Sequence, residues 1–350
     1  MKKREFIIQN IILYIRQLIT TISYKIEEMA FLLEDNNKKY ILKKKIGKGA
    51  TCECFIGNKM DEESSDIFAV KIFPQNFHEF YSNEVKILTK IKGHNNIITL
   101  YEFGKGTLTP ISNNDSTYSD NYNKQIIYYQ VLEYAENGEL KDYVNGTHSR
   151  IFENISAKLF VKLVNAIKYL HENNIAHCDI KPENVLIGKN FIPKINDFGF
   201  SQEFNGENGD YIIHQKSGTP NYSSPDVRFA FTKGYDGRKN DIFSLGVLLF
   251  VITIGDFPFH STTYSDEKYK FIIKGRYNKF WEFFDYIDIS DEFKDLINSL
   301  ISLNPAKRLS INEILKHPWI IKNLGKDYNE QNEINDKEIS DEFNSRKNKI

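Results

Sequence analysis

Cysteine is scarce: Cys52, Cys54 and Cys178 are the only three in 350 residues. They are too few and too badly spaced for a disulfide framework or a zinc site, so reduced thiols in a cytoplasmic setting are the expectation. The sequence has no run of about 18 apolar residues, and no segment is expected to span a membrane. It also lacks a dominant charge sign, with 46 Lys and Arg against 47 Asp and Glu for a net charge of −1. No bulk basic field is present to draw in nucleic acid, and no nucleic-acid partner is expected. What remains is an ordinary soluble composition, 41% hydrophobic and 27% charged, in a chain able to bury a sizeable core as one large or two small domains. Met1-Lys2-Lys3-Arg4 followed by Phe6 to Ile15 imitates a secretion signal. Arg16 interrupts the apolar run, Lys25 follows, and no small-residue cleavage site appears, so that reading is rejected.

Residues 1–39 carry Ile8, Ile15, Ile22 and Met29 every seven positions, with Ile12, Ile19 and Ile26 four positions later. Ile11 and Leu18 widen the stripe, and the spacing predicts an amphipathic helical extension. Three uses stay open: packing on the adjoining domain, a partner helix or self-association, and attachment to a membrane surface.

The richest chemistry lies in His177-Cys178-Asp179-Ile180-Lys181-Pro182-Glu183-Asn184 and in Asp197-Phe198-Gly199. Asp179 could orient the proton of an attacking hydroxyl, and Lys181 could neutralise a moving phosphate. Asn184 and Asp197 offer the hard oxygen ligands that Mg²⁺ takes while keeping several waters. The run Val185 to Ile195 between them reads as two short apolar strands joined at Gly188-Lys189-Asn190, a hairpin that would hold Asn184 and Asp197 side by side.

Upstream, Ile46-Gly47-Lys48-Gly49 between strand-like runs permits a tight turn whose backbone amides can approach phosphate oxygens. Lys71 stands alone in the apolar strand Ile67 to Phe73 and is costly to bury unpaired. Glu84, on the first turns of a helix predicted over Phe80 to Ile91, is an available partner. Lys105 to Gln125 is polar and reads as a long solvated insertion. Ile126 to Leu132 reads as a strand, Glu133 to Glu139 as a polar connector, and Ile155 to His171 as a buried helix.

Taken together, these motifs resemble those of the eukaryotic protein kinases over about residues 40–321, down to Ser217-Gly218-Thr219-Pro220, Ser224-Pro225-Asp226, Asp241, Arg308 and His317-Pro318-Trp319. The resemblance implies an α+β bilobal fold. Residues 40–132 would form a small antiparallel-sheet lobe with one helix, 105–125 an insertion, 133–139 a hinge and 140–321 a larger, mainly helical lobe. The polar residues 322–350 are expected to be a disordered tail. By resemblance Lys71 anchors the α- and β-phosphates of ATP with Glu84 as its ion-pair partner. Ile46, Gly47, Lys48 and Gly49 cover the phosphates. Cys54 and Ala69 roof the adenine, Leu186 floors it, and Leu132 guards the rear of the pocket. Glu133 and Ala135 present backbone groups to the base, and Glu139 takes the ribose hydroxyls. Asn184 and Asp197 hold Mg²⁺, with Asp179, Lys181 and Thr219 as the catalytic residues.

The pattern looks most like calcium/calmodulin-kinase-type or neighbouring basophilic groups, and Lys181 matches the Ser/Thr-directed members. The implied function is transfer of the γ-phosphoryl of Mg-ATP to Ser or Thr of proteins, and two carboxylates near the substrate channel, Glu139 and Glu183, would suit a basic residue upstream of the acceptor. Cys52 stands where the family has a third loop Gly, Cys54 where it has Val, and Cys178 where it has the Arg that pairs with a phosphorylated activation loop. These departures keep a rival alive: a pseudokinase scaffold that binds nucleotide or partners without turnover.

Overall fold

The computed structural model describes residues 30–35, 38–60, 66–111, 125–144, 150–204, 211–325, 328 and 336–347. These fall into two compact units. The first holds residues up to Val85 together with Leu100–Tyr134, and the second holds Lys86–Thr99 and everything from Ala135 onward.

The first unit is a closed antiparallel barrel of six strands. They are β1 (Ala30–Asp35), β2 (Lys38–Lys48), β3 (Glu53–Lys59), β4 (Phe68–Pro74), β5 (Leu100–Ile111) and β6 (Gln125–Glu133), in spatial order β1-β2-β3-β4-β6-β5. Period-two alternation builds its interior. Leu33, Tyr40, Leu42, Phe55, Val70, Ile72, Ile127, Tyr129 and Val131 form one buried cluster. Helix α1 (His78–Lys90) follows β4, one turn after Pro74.

Two sequence expectations change here. The helical reading extends to residue 39, but Ala30–Asp35 is a strand that pairs with both β2 and β5 and so closes the barrel. The Ile and Met stripe up to Met29 lies outside the described residues. The insertion expected over 105–125 is strand at both ends, because β5 continues to Ile111 and β6 begins at Gln125. The reason is the new partner. Lys105 to Ile111 looks solvated by composition, yet β1 covers it, and Thr109 is buried beneath the join. A Cβ at Gly106 would lie 2.6 Å from the Glu34 carbonyl oxygen, so the residue's lack of a side chain is what lets β1 approach. One of the two tyrosines of β6 locks the same seam, Tyr129 donating its hydroxyl to Asp35 at 2.8 Å.

The second unit is mainly helical. Its core pairs α3 (Glu153–Glu172), preceded by the short α2 (Leu140–Val144), with α4 (Gly237–Ile254). Nearly every residue of α4 is buried, which explains its unbroken apolar run. The helix is capped by Asp236, whose side chain accepts from the backbone of Arg238 and Lys239 at 2.9 and 3.3 Å. Asp241 sits inside the helix and is available for another role. Around this core lie α5 (Tyr269–Ile273), α6 (Tyr277–Trp281), α7 (Asp291–Leu300), α8 (Ile311–Leu315) and α9 (Pro318–Leu324).

The tail supplies a third correction. Lys337–Lys347 forms α10, with Ile339 and Phe343 fully buried. The expectation of disorder rested on few apolar residues, but two spaced four apart are enough to seat one helical face.

Closure of the barrel depends on the interior side chain of β1. Leu33→Ala is expected to cost about 2–5 kcal/mol of stability, read by denaturant titration, since Leu33 is fully buried.

Candidate active site

In the first unit, the turn from β2 to β3 is closed by Gly49 N–H donating to the Cys52 carbonyl at 2.9 Å. Ile46, Gly47, Lys48 and Gly49 are exposed along it. Strand pairing sets Cys54 opposite Lys71, and Ala69 opposite both Ile56 and Leu132. Glu133 ends β6 opposite Phe68. Lys71 is buried, and its ammonium donates to both Glu84 oxygens, at 2.9 and 2.8 Å. Glu84 is completely enclosed. Two opposite charges in one dry place are stable only together; breaking such a pair typically costs about 3–5 kcal/mol. The Cys54 thiol is pushed up to about 12 by burial, with the Lys71 ammonium opposing the shift, so at neutral pH it is a neutral, packed group.

In the second unit, β7 (Ile175–Ala176) leads into the loop carrying Asp179. The Asp179 carboxylate, 2% exposed, is the hub of a network. One oxygen accepts from the Thr219 hydroxyl at 2.7 Å, and the other accepts from Lys181 Nζ at 2.8 Å and Asn184 Nδ2 at 2.9 Å. Lys181 Nζ also reaches Thr219 Oγ1 at 2.8 Å. Asn184 Nδ2 further donates to the Asp179 carbonyl at 2.8 Å, which commits the amide nitrogen and leaves the side-chain oxygen Oδ1 as the end that can face a hard cation.

The strands β8 (Val185–Ile187) and β9 (Pro193–Ile195) form the hairpin expected from sequence, turning through Gly188 and Lys189–Phe191. Asn196 N–H donates to the Asn184 carbonyl at 2.9 Å, so the base of the hairpin sets Asn184 beside the residue preceding Asp197. Asp197 adopts a left-handed backbone, φ 62°, a conformation that a non-glycine residue holds only where its surroundings impose it. One amide oxygen and one carboxylate make a donor set that fits Mg²⁺ shared with phosphate oxygens and water. Among the described residues no group of three or more His, Cys, Asp or Glu offers a self-sufficient metal cage.

The loop is held from below by Asp241. Its carboxylate accepts from the backbone N–H of His177 and of Cys178, each at 2.9 Å, and lies 2.9 Å from His171 Nε2. Cys178 sits at φ 66°, so this bracing fixes a strained turn. Sequence reasoning does not single out His171; its position near the polar end of α3, six residues before His177, is the signal that could have found it. His177 and Phe198 meet edge-on at 5.1 Å, and both are enclosed, as is Leu88.

The Cys178 side chain points into an apolar cluster with Ala176, Phe204, Ile213, Val227, Ala230 and Tyr235. Burial, and after it the Asp241 carboxylate, pushes the Cys178 thiol well above its ordinary range. The strands β10 (Gln202–Glu203) and β11 (Ile212–Ile213) pin the segment that follows Asp197, pairing with β7 and with β12 (Tyr235–Asp236) respectively. Further on, a Cβ at Gly218 would fall 2.3 Å from the Cys178 carbonyl oxygen, and its φ of 93° also demands glycine. Asp226 reaches Arg308 at 2.5 Å, and Arg308 is anchored by the carbonyls of Ser302 and Lys239 at 2.9 and 3.0 Å.

Glu139 immediately precedes α2 and bridges to Leu186 on β8, while Ala135 is buried. Burial, then the Asp142 carboxylate and further the Glu183 carboxylate, push the Glu139 carboxyl up. Glu183 Oε2 is buried and accepts no hydrogen bond from the described residues.

A barrel unit with a buried Lys–Glu pair and a helical unit with an Asp–Lys–Thr–Asn network are the components of a kinase-type α+β fold. The protein kinase domain family model matches residues 40–320, and the chain belongs to that family. It is 30% identical over 294 residues to CBL-interacting protein kinase 10 of Oryza sativa subsp. japonica, covering 83% of this chain and 58% of the relative. It is 37% identical over 193 residues to the serine/threonine-protein kinase kin-29 of Caenorhabditis elegans, 55% of this chain and 22% of that one. With CBL-interacting serine/threonine-protein kinase 20 of Arabidopsis thaliana it shares 37% identity over 199 residues, covering 57% and 43%. The chain thus spans about three fifths or less of the length of these relatives. No helix among the described residues is long and apolar enough to cross a membrane.

A thiol in an apolar cluster cannot pair with a phosphate as an Arg can. Phosphatase-treated recombinant protein is therefore expected to keep most of its phosphoryl-transfer rate, measured on a peptide; loss of nearly all of it would show that the segment needs a phosphate after all.

Proposed function

We propose that the protein transfers the γ-phosphoryl of ATP to Ser or Thr hydroxyls of protein substrates. The observation that carries this reading is the convergence of Lys181, Thr219 and Asn184 on the buried Asp179 carboxylate. Little covalent work is asked of the enzyme: positioning and charge stabilisation dominate such a reaction. Asp179 orients the acceptor hydroxyl and takes its proton. The hydroxyl oxygen forms the new bond to the γ-phosphorus as the bond to the β-bridging oxygen breaks, releasing ADP. Lys181 offsets charge on the group in transit. Thr219, bonded to both, holds Asp179 and Lys181 in register.

In the first unit Lys71, aligned by Glu84, anchors the α- and β-phosphates, and the amides from Ile46 to Gly49 cover them. Cys54, Ala69 and Leu132 are the barrel's contribution to binding the base, and Leu186 is the second unit's. Glu133 and Ala135 offer it main-chain groups, and Glu139 takes the ribose. Mg²⁺, when bound through Asn184 and Asp197, neutralises phosphate charge.

The same site favours a basic residue upstream of the acceptor. The Glu183 carboxylate raises the cost of charge on Glu139, and a buried oxygen of Glu183 has no hydrogen-bond donor among the described residues. A substrate guanidinium would relieve both. The scaffold reading draws on Cys52, Cys54 and Cys178, none of which removes a charged group that the reaction requires.

Asp179→Asn is expected to lower turnover on a basic Ser peptide by about a hundredfold or more while Mg-ATP still binds; wild-type protein that binds nucleotide without transfer would favour the scaffold instead. Glu183→Gln should raise the KM for an Arg-bearing peptide about tenfold relative to the same peptide with Ala in its place, in paired kinetics on both substrates.

A further inference from the structure

We infer that α10 is a positioning element for the nucleotide- and metal-binding edges of the second unit, so that Arg346 and Lys347 act on the proposed active site through its support. This rests on the function proposed above.

The helix grips two segments at once. The first is Asn137–Val144, which contains Glu139. Arg346 donates to the Tyr143 carbonyl at 3.0 Å and to the Arg150 carbonyl at 2.6 Å, while Glu342, one turn back, fixes its guanidinium at 2.8 Å. Lys347 Nζ donates to Asn137 Oδ1 at 2.7 Å. Asn137 is itself a node, donating its side-chain amide to the Gly188 carbonyl at 2.8 Å and its backbone N–H to the Ile187 carbonyl at 2.9 Å, and accepting the Tyr143 hydroxyl at 2.8 Å. Phe343 stacks on Tyr143 at 4.6 Å.

The second segment is the turn of the β8–β9 hairpin, whose two ends lead to Asn184 and Asp197. Asn190 and Phe191 both have left-handed backbones, φ 56° and 57°. Two such residues make the tight turn of the hairpin, closed by the Ile192 N–H donating to the Lys189 carbonyl at 3.3 Å, but the bulky Phe191 is strained in that region and gains from outside support. The helix supplies that support: Phe343 meets the Phe191 ring edge-on at 6.1 Å, and Ser340 donates to the Asn190 carbonyl at 3.2 Å. Ion pairs from Glu338 to Lys158 and from Asp336 to Lys162 fix the start of the helix on α3. A strained turn and a node residue, both tied to one terminal helix, are more than a surface helix needs for its own burial.

The test uses the full chain and measures Mg-ATP affinity by calorimetry beside steady-state kinetics and thermal midpoints. Arg346→Ala removes two carbonyl contacts and is expected to weaken Mg-ATP by about tenfold, with turnover at saturation changed by about twofold or less. Arg346→Lys should regain part of the affinity. Lys347→Ala, at an exposed position, should move affinity in the same direction by a smaller factor, and it decides the matter should Arg346→Ala fail to fold. Unchanged or tighter nucleotide binding overturns the inference, as does a raised basal rate, which would make α10 a brake. Should neither wild type nor variant transfer phosphate while the affinity difference persists, the positioning role stands and the proposed catalysis falls.

Discussion

A single carboxylate, that of Asp241, ties the most buried helix of the second unit to the loop on which its chemistry depends. It carries no exposed surface, and two backbone N–H groups and one imidazole nitrogen converge on it. A buried charge is costly unless satisfied, and three partners satisfy this one. In return it holds Cys178 in a left-handed turn, which aims Asp179 away from the apolar cluster and toward Lys181 and Thr219. The rest of the network is then short-range geometry: Asn184 five residues on, and Thr219 placed by a glycine that touches the Cys178 carbonyl.

The charged groups were legible in the sequence because their spacing along the chain reflects their spacing in space. Asp179, Lys181 and Asn184 lie on one loop, and the apolar runs between Asn184 and Asp197 announce a hairpin through their alternation. Lys71 was legible for a different reason, since an isolated ammonium in an apolar strand demands a carboxylate, and Glu84 was the near one. The strand and helix cores followed from periods of two and of about 3.6 residues.

What escaped was structure whose reason lies in a distant partner. Nothing local in Lys105–Ile111 marks it as strand; β1, some seventy residues earlier, makes it one. Ala30–Asp35 directly follows a helical stripe in the sequence, and only its pairing with β2 and β5 marks it as strand. Ile339 and Phe343 are two apolar residues in a polar stretch, too few to raise a periodic signal, yet both are buried, Phe343 against Tyr143 and Phe191. His171 was hidden because a histidine at the end of a helix reads as a polar terminus until its carboxylate is seen.

In the barrel, each described strand has a neighbour on both sides. The main-chain donors and acceptors that an open sheet would present along its flank are consequently used internally. An incoming peptide cannot lengthen this sheet by strand addition, and neither can a second copy of the chain. Any molecule that recognises this unit must read side chains and connecting turns, a more demanding code than backbone pairing and one less open to chance association.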